Sequence, residues 1–286
     1  MKIVRYNGGS QTALGVKTNS QIHALADLPA GEPDYKDLTN PHYLDQVRSA
    51  VRHDALSRQD ASEVRLLAPV PRPGKIVCAG LNYHDHAEEQ DEEIPDEPLL
   101  FSKAPTTVTN PESPIVHPDG EQVDYEVELA VVVGRTAKDL NDNEVSDHVA
   151  GYTVLNDVSG RDAQFSDDQF FRGKSYDTFS PMGPTMVVGD GFDPDTVDVE
   201  LRVDGEIRQS SNTEQFIFDV SELLAYVSKN MTLRPGDIVS TGTPGGVGIF
   251  HDPPDLLKPG QTCEAEIETI GTLENPVVAE RSPNSL

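Results

Sequence analysis

Short apolar segments separated by turn residues dominate the chain from residue 75 onward. Alternating or continuous apolar runs bounded by Gly, Pro and Asp are typical of β-strands. They predict strands at 75–79, 125–133, 151–155, 185–188, 197–203, 238–240 and 262–270. Helical patterns are fewer, and the clearest cover residues 82–90 and 219–230. The sequence therefore predicts a strand-rich α+β fold without the regular βαβ alternation of Rossmann or TIM architectures.

The first 74 residues differ in pattern from the rest of the chain. Short apolar pieces alternate with polar turns up to about residue 66, and a helical pattern covers residues 41–56. Pro69, Pro71 and Pro73 then occupy alternate positions, which forces an extended backbone. We therefore predict a small N-terminal unit at 1–68, a proline-rich linker at 69–74 and the main domain at 75–286.

The charge balance is unusual for a composition that is otherwise ordinary. The chain has 49 Asp and Glu against 22 Lys and Arg, a formal net charge of -27. Such a surface repels nucleic acid and anionic lipid, so neither is expected as a partner. Either an acidic tail binds a basic partner, or the carboxylates belong to a surface adapted to a salt-rich cytoplasm. The acids occur in small groups along the whole chain, which favours the halophilic interpretation.

Cysteine content and hydropathy indicate the cellular setting. Cys78 and Cys263 are the only cysteines, too few for a disulfide framework, and neither lies in a zinc-binding spacing. No apolar run reaches the length of a signal peptide or a membrane span. These features predict a protein of the reducing cytoplasm that has no membrane partner.

Glu126 and Glu128 form the sharpest candidate site. They lie two residues apart at the start of a strand that ends in three valines, so both side chains take one face while Val127 and Leu129 take the other. Two like charges on a buried strand repel each other unless a cation lies between them. The alternative is an edge strand with its acidic face in water, which is the usual explanation of a lone Glu-x-Glu pair.

A third carboxylate, Asp157, follows the apolar run at 151–155. Together with Glu126 and Glu128 it forms an all-oxygen set, which suits Mg²⁺ or Mn²⁺ better than zinc and leaves coordination positions for water and substrate. An open coordination shell is typical of a catalytic metal. Taken alone, Asp157 is more simply explained as a turn residue or a helix cap.

Three further segments carry polar groups suited to an anionic substrate. Arg161 and Gln164 follow the third carboxylate closely, and Lys174 lies between Gly and aromatic neighbours. Thr243 belongs to the Gly-rich segment 241–248, whose backbone N–H groups suit a carboxylate. Each has a simpler explanation, because surface lysines are usually solvated and Gly-rich segments are usually turns.

His86 and Glu89 are the candidates for acid–base chemistry. They are three residues apart on a predicted helix and so face the same side. A Glu beside a His orients the imidazole and raises its basicity, as a general base requires. The alternative is a surface helix with an incidental ion pair.

Taken in order, these segments resemble the fumarylacetoacetate hydrolase family. The matching stretches are 80–83 with His86 and Glu89, 124–133, 156–162, 173–178 and 241–248. The resemblance implies a mixed β-sandwich roll, a homodimer, and Mg²⁺ or Mn²⁺ on Glu126, Glu128 and Asp157. It also implies that Gln164 and Lys174 contact substrate, and that His86 and Glu89 form a catalytic dyad on a lid that orders when substrate binds.

The resemblance further implies an enzyme that acts on 2-oxo acids. The stretch 174–184 is most similar to hydrolases of 2,4-dioxo sugar acids, so we expect hydrolytic C–C cleavage of a 2,4-dioxo acid, with Lys174 stabilising the developing enolate. The same chemistry serves oxaloacetate decarboxylation, isomerisation of 2-hydroxyhepta-2,4-diene-1,7-dioate and dehydration of 2-keto-3-deoxy sugar acids. A non-catalytic, metal-stabilised protein is the rival interpretation.

Overall fold

The computed structural model describes residues 1–9, 12–167 and 169–280 of the chain. Its helices are α1 (Pro41–Arg52), α2 (His84–Gln90), α3 (Arg161–Ser166) and α4 (Val220–Asn230). The three predicted helices are present, although α1 ends at Arg52 rather than residue 56, and α3 is an additional short helix. None of the helices formed by the described residues is long and apolar enough to cross a membrane.

Capping side chains set where the two longer helices begin. Asn40 accepts a hydrogen bond from the His42 N–H, and Pro41 occupies the first helical position of α1, where its fixed φ suits the helix. Asp219 and Glu222 form a reciprocal capping box at the start of α4. These local capping residues explain why the sequence predicts where the two helices begin.

Strands form most of the remaining regular structure. In chain order they are β1 (Lys2–Asn7), β2 (Thr12–Thr18), β3 (Gln21–Ala24), β4 (Arg58–Asp60), β5 (Arg65–Leu67), β6 (Ile76–Gly80), β7 (Leu99–Lys103), β8 (Val108–Thr109), β9 (Ile115–His117), β10 (Val123–Asp124), β11 (Val127–Val133), β12 (Val149–Asn156), β13 (Ser159–Gly160), β14 (Ser180–Val187), β15 (Asp198–Val203), β16 (Glu206–Asn212), β17 (Ile238–Ser240), β18 (Thr262–Ile267) and β19 (Gly271–Ala279). The predicted strand at 262–270 ends at Ile267, where a turn leads into β19.

Within the described residues, two sheets carry most of these strands. The larger has the order β4-β3-β2-β1-β14-β12-β11-β17-β6-β7, with β5 on β1 and β8 on β14, and the smaller has the order β16-β15-β18-β19-β9. Most neighbours are antiparallel, but β6 pairs with β17 in parallel, as β8 does with β14 and β9 with β19. The prediction of a strand-rich α+β fold with mixed sheets is confirmed.

The N-terminal region continues the large sheet. β1 pairs with β14 through Lys2↔Val187 and Ile3↔Met186, and Val70 packs in the same core as Ile76. Residues 69–74 therefore connect two stretches of one hydrogen-bonded sheet. The division of the chain into units on either side of this linker stays a prediction.

The central strand β11 has two different faces. Its odd-numbered residues, such as Val127 and Leu129, pack in the core that also holds β15 and α4, whereas Ala130 and Val132 pack towards α1. The predicted strand at 125–133 begins at Val127, so Glu126 immediately precedes it. Because side chains alternate along a strand, Glu128 continues the second face, and Glu126 is directed to the same side, since the two carboxylates lie within 4.8 Å of each other. The shared face that the sequence predicts for these two glutamates is confirmed, and it is buried rather than solvated.

Candidate functional site

Strand pairing brings the three predicted metal ligands together. β11 and β12 are antiparallel neighbours with Glu128 opposite Leu155, and the Asp157 N–H donates to the Glu126 carbonyl at 2.8 Å. The start of one strand and the end of the other are therefore adjacent. Glu126, Glu128 and Asp157 each offer an oxygen, all within 4.8 Å of one another, and all three residues are buried.

Lysine side chains surround the Asp157 end of this cluster. The Lys174 ammonium donates to Glu126 at 2.5 Å and to Asp157 at 2.8 Å, while the fully buried Lys103 pairs with the other Asp157 oxygen. Burial alone would lower the pKa of Lys174, but the charges of Asp157 and Glu126 outweigh it and raise the pKa. Lys174 is therefore a fixed cation in this site.

The two glutamates differ sharply in their electrostatics. Burial raises the pKa of Glu126, yet the charges of Lys174 and Arg161 outweigh it and lower the pKa to about 2. Burial, reinforced by the charges of Asp157 and Glu126, raises the pKa of Glu128 to about 8, although it accepts hydrogen bonds from Ser240 and from the Gly242 N–H. Glu128 thus makes no ion pair with the described residues, and the charge of Lys174 offsets only part of the rise in its pKa.

A divalent cation fits these residues on chemical grounds. The cluster offers only carboxylate oxygens, which hard ions such as Mg²⁺ and Mn²⁺ prefer. An ion among them would also remove the like-charge repulsion that raises the pKa of Glu128. Glu126, Glu128 and Asp157 are therefore the residues that would hold a metal.

Arg161 lies beside the cluster at the start of α3. Its guanidinium donates to Asp124 at 2.9 Å, to Glu126 at 2.7 Å and to the Gln164 side-chain oxygen at 2.7 Å. Asp124 is itself buried and also accepts from the Gly248 and Ile249 N–H groups, at 3.0 Å each. These bonds hold Glu126 in place and direct the Gln164 amide nitrogen away from Arg161. The predicted contacts of Arg161 and Gln164 with substrate stay predictions.

A cavity of roughly 360 Å³ opens above the cluster. Its polar floor is formed by Glu126, Glu128, Arg161, Gln164, Lys174 and Thr243, and its rim includes His86, Leu99, Phe101, Phe165, Phe170 and Phe250. This volume is within the range of small-molecule sites. The Thr243 hydroxyl donates to the Val127 carbonyl at 2.9 Å, so it also ties the Gly-rich segment to β11.

Helix α2 carries the predicted dyad at the rim. His86 Nδ1 lies 3.2 Å from Glu89 Oε2, and the Gly246 N–H donates to the other Glu89 oxygen at 2.9 Å. Burial favours a higher pKa for Glu89, but these two hydrogen bonds outweigh it and lower the pKa. The predicted proximity of the two side chains is present, and their catalytic role stays a prediction.

Asn82 begins the helical pattern at 82–90 and has a side chain suited to capping, so the sequence predicts that it caps α2, and this prediction is wrong. Asn82 does not cap α2, because its amide donates to the carbonyls of Phe218 and Thr241 and accepts from the Phe218 N–H. Tyr83 occupies the N-cap position without a side-chain hydrogen bond. Asn82 therefore connects the start of α2 to loops that are remote in sequence, which a local capping pattern could not reveal.

Sequence reasoning missed several side chains of this site. Lys103, Asp124 and Ser240 are buried and bonded to Asp157, Arg161 and Glu128 respectively. Asp124 is the first residue of the recognised segment 124–133 but was given no role, and Lys103 ends a predominantly apolar stretch in a chain with few lysines. A lysine at the end of an apolar strand was the available signal for Lys103.

Residues 75–278 match the sequence profile of the fumarylacetoacetate (FAA) hydrolase C-terminal domain. The chain belongs to the fumarylacetoacetate hydrolase family. It is 45% identical over 265 residues to a mitochondrial oxaloacetate tautomerase of Bos taurus, which covers 89% of this chain and 84% of that protein. The resemblance seen in the sequence is confirmed.

Solved structures of the same family have the same fold. A fumarylacetoacetate hydrolase from Exiguobacterium antarcticum is 38% identical, with a TM-score of 0.84 over 98% of this chain and 100% of that one. A 2-hydroxyhepta-2,4-diene-1,7-dioate isomerase from Mycobacterium marinum is 33% identical, with a TM-score of 0.80 over 99% and 100%. Hydrolase, isomerase and tautomerase names thus occur among relatives of this enzyme.

Proposed function

We propose that this enzyme catalyses metal-dependent enolisation of a 2-oxo acid, with the keto–enol tautomerisation of oxaloacetate as its reaction. The observation that carries the choice is the 45% identity, across 89% of the chain, to a protein named as an oxaloacetate tautomerase. The buried carboxylate cluster and the fixed cation Lys174 at the cavity floor support it. Tautomerisation moves one proton between C3 and the 2-oxo oxygen, so it needs a group that transfers the proton and positive charge that stabilises the enolate oxygen.

A Mg²⁺ or Mn²⁺ ion on Glu126, Glu128 and Asp157 would supply Lewis-acid polarisation of the bound 2-oxo acid. Lys174, held by two carboxylates of the cluster, contributes positive charge near the oxygen on which negative charge develops. The Gln164 amide offers a hydrogen-bond donor that orients the carboxylate end of the substrate.

His86 is the group that moves the proton. With Nδ1 donating to Glu89, the imidazole keeps the tautomer whose Nε2 is free to accept a proton. The apolar rim, which includes Phe250 beside the His86 ring, limits water at the reacting carbon. In the keto-to-enol direction His86 takes the proton from C3 and returns it to the enolate oxygen, and in the enol-to-keto direction the two transfers are reversed.

Hydrolytic cleavage of a 2,4-dioxo acid, which the sequence favours, is the second candidate. The His86–Glu89 pair supports it, because such a pair also activates water. Oxaloacetate decarboxylation, diene-dioate isomerisation and sugar-acid dehydration remain further uses of the same cluster. A cytoplasmic setting, a homodimer and salt adaptation likewise remain proposals.

The decisive experiment compares substrates in the presence of Mg²⁺ or Mn²⁺. Enol-oxaloacetate is supplied to excess malate dehydrogenase and NADH, so that tautomerisation limits NADH oxidation, and acylpyruvates are assayed in parallel for loss of the dioxo chromophore. Metal-dependent acceleration of NADH oxidation that His86→Ala abolishes supports tautomerisation. Acylpyruvate cleavage without tautomerisation would establish the hydrolase instead, and thermal stabilisation by metal without any turnover would favour the non-catalytic rival.

A further inference from the structure

Helix α2 carries His86 but has little of its own to hold it in place. Its seven residues are fewer than the dozen or so that an isolated helix needs in water. Tyr83 at the N-cap provides no side-chain hydrogen bond, and of the helix residues only His86 and Ala87 are buried. Packing of the buried Tyr83 against Phe216 holds the start of α2, and polar contacts with other elements hold the helix itself.

Asp85 makes two such contacts with elements remote in sequence. One carboxylate oxygen accepts from the Ser211 hydroxyl on β16 at 2.5 Å, and the other accepts from the Gly245 N–H at 3.2 Å. Asp85 thus bridges the helix, a strand of the small sheet and the Gly-rich segment. Hydrogen bonds to an ionised carboxylate are stronger than neutral ones, so these two contacts restrain α2 more than ordinary surface bonds do.

The Gly-rich segment connects α2 to the metal-binding cluster. Its Gly242 N–H donates to Glu128 at 3.2 Å, and its Thr243 hydroxyl donates to the Val127 carbonyl. The Gly245 and Gly246 N–H groups of the same segment donate to Asp85 and Glu89 of α2. A single stretch of backbone therefore fixes the distance between the carboxylate cluster and the helix that carries His86.

We infer that Asp85 is a positioning residue, which holds His86 at its working distance from the carboxylate cluster by fastening α2 to the Gly-rich segment and to Ser211. The inference rests on the proposed function, in which His86 moves the proton. Asp85 itself lies outside the residues that line the cavity, so it acts through the helix rather than on the substrate.

The test uses the Mn²⁺-loaded full chain and five variants: Asp85→Ala, Ser211→Ala, His86→Ala, Asp85→Ala with His86→Ala, and Glu88→Ala as the matched control. Glu88 is an exposed acid of the same helix whose side chain makes no hydrogen bond to the described residues. Turnover and KM are measured on enol-oxaloacetate, Mn²⁺ binding by calorimetry, and amide exchange of residues 84–90 by mass spectrometry.

Asp85→Ala is expected to lower kcat by about 10- to 100-fold, the usual effect of slight misplacement of a catalytic group, with KM and Mn²⁺ affinity changed by no more than about twofold. Ser211→Ala, which removes one of the two contacts, has a smaller effect in the same direction. Amide exchange in α2 becomes about tenfold faster in Asp85→Ala. Glu88→Ala behaves as the wild type in every measurement.

The double variant separates positioning from a general structural role. If Asp85 acts through His86, removing Asp85 from the His86→Ala enzyme lowers kcat no further. Additive losses, a loss that tracks Mn²⁺ affinity, or an unchanged exchange rate in α2 would each overturn the inference. If the wild type turns over no 2-oxo acid, the proposed function is wrong, and so is the inference that Asp85 positions a catalytic histidine. Amide exchange would then show only whether Asp85 holds the helix in place.

Discussion

Glu128 gives the most direct test of the metal site, because its titration and metal binding compete. Because burial and the charges of Asp157 and Glu126 raise the pKa of Glu128 to about 8 in the metal-free protein, most Glu128 side chains hold a proton at pH 7 and few do at pH 9. A metal ion requires the carboxylate, so binding must displace that proton. We expect about one proton to be released per Mn²⁺ bound at pH 7 and almost none at pH 9.

Calorimetry in buffers of different ionisation enthalpy measures this release. The apparent affinity for Mn²⁺ should weaken by about tenfold for each pH unit below 8, down to the region where other carboxylates also titrate. Glu128→Gln, which keeps the side-chain shape and an acceptor for the Gly242 N–H, should bind Mn²⁺ far more weakly and be inactive while remaining folded. Unchanged Mn²⁺ affinity in this variant, or equal proton release at pH 7 and 9, would refute the assignment.

The same group makes the stability of the metal-free protein depend on pH. Because folding raises the pKa of Glu128, its contribution to stability is fully present below about pH 4.5 and is lost as the pH rises through about 8. The loss corresponds to roughly 5 kcal/mol at most. Glu128→Gln should remove it, so in chelator the variant becomes the more stable protein at pH 9. A wild type equally stable relative to the variant at pH 5 and pH 9 would contradict the physical argument.

Three further outcomes are expected. Lys103→Met leaves Asp157 with one buried lysine and should lower the free energy of unfolding by about 3–5 kcal/mol in urea titrations; a loss below about 1 kcal/mol would show that the ion pair is dispensable. His86→Ala should lower kcat by about two to four orders of magnitude with Mg²⁺ affinity unchanged, and wild-type turnover would exclude the dyad. Molar KCl should raise Tm, given the net charge of -27, and a flat or falling Tm would exclude salt adaptation.

The carboxylate cluster was predictable because its geometry is mostly local. Glu126 and Glu128 lie two residues apart at the start of β11 and so take a shared face, and the valines that follow indicate burial. Asp157 needed one further step, since only the pairing of β11 with β12 brings it beside Glu126. The family resemblance, which rests on the order of several motifs along the chain, supplied the placement of Asp157 beside Glu126.

The remaining parts of the site depend on contacts between segments that are distant in sequence, and a local sequence pattern does not predict such contacts. Lys103 and Asp157 are 54 residues apart, and Asp85 and Gly245 are 160 apart. Asn82 shows how a local rule fails, because its side chain has the right chemistry for a helix cap but bonds to Phe218 and Thr241 instead. Whether such a side chain caps a helix or bonds to a remote segment depends on which groups the fold brings near it, and a single sequence does not show these groups.

Charge balance in the buried cluster links metal binding to substrate binding. The charges to be counted are those of the cluster and of the buried groups bonded to it. The carboxylates are Glu126, Glu128 and Asp157 of the cluster with the neighbouring Asp124, and the cations are Lys103, Lys174 and Arg161. With Glu128 protonated, as its raised pKa favours at neutral pH, the carboxylate and cation charges cancel. Replacing that proton by a divalent ion leaves a net positive charge in a cavity of low dielectric, where it attracts an anion strongly. On the proposed function, the cluster attracts a carboxylate-bearing substrate once the metal is bound, so we expect substrate affinity to disappear together with the metal in chelator.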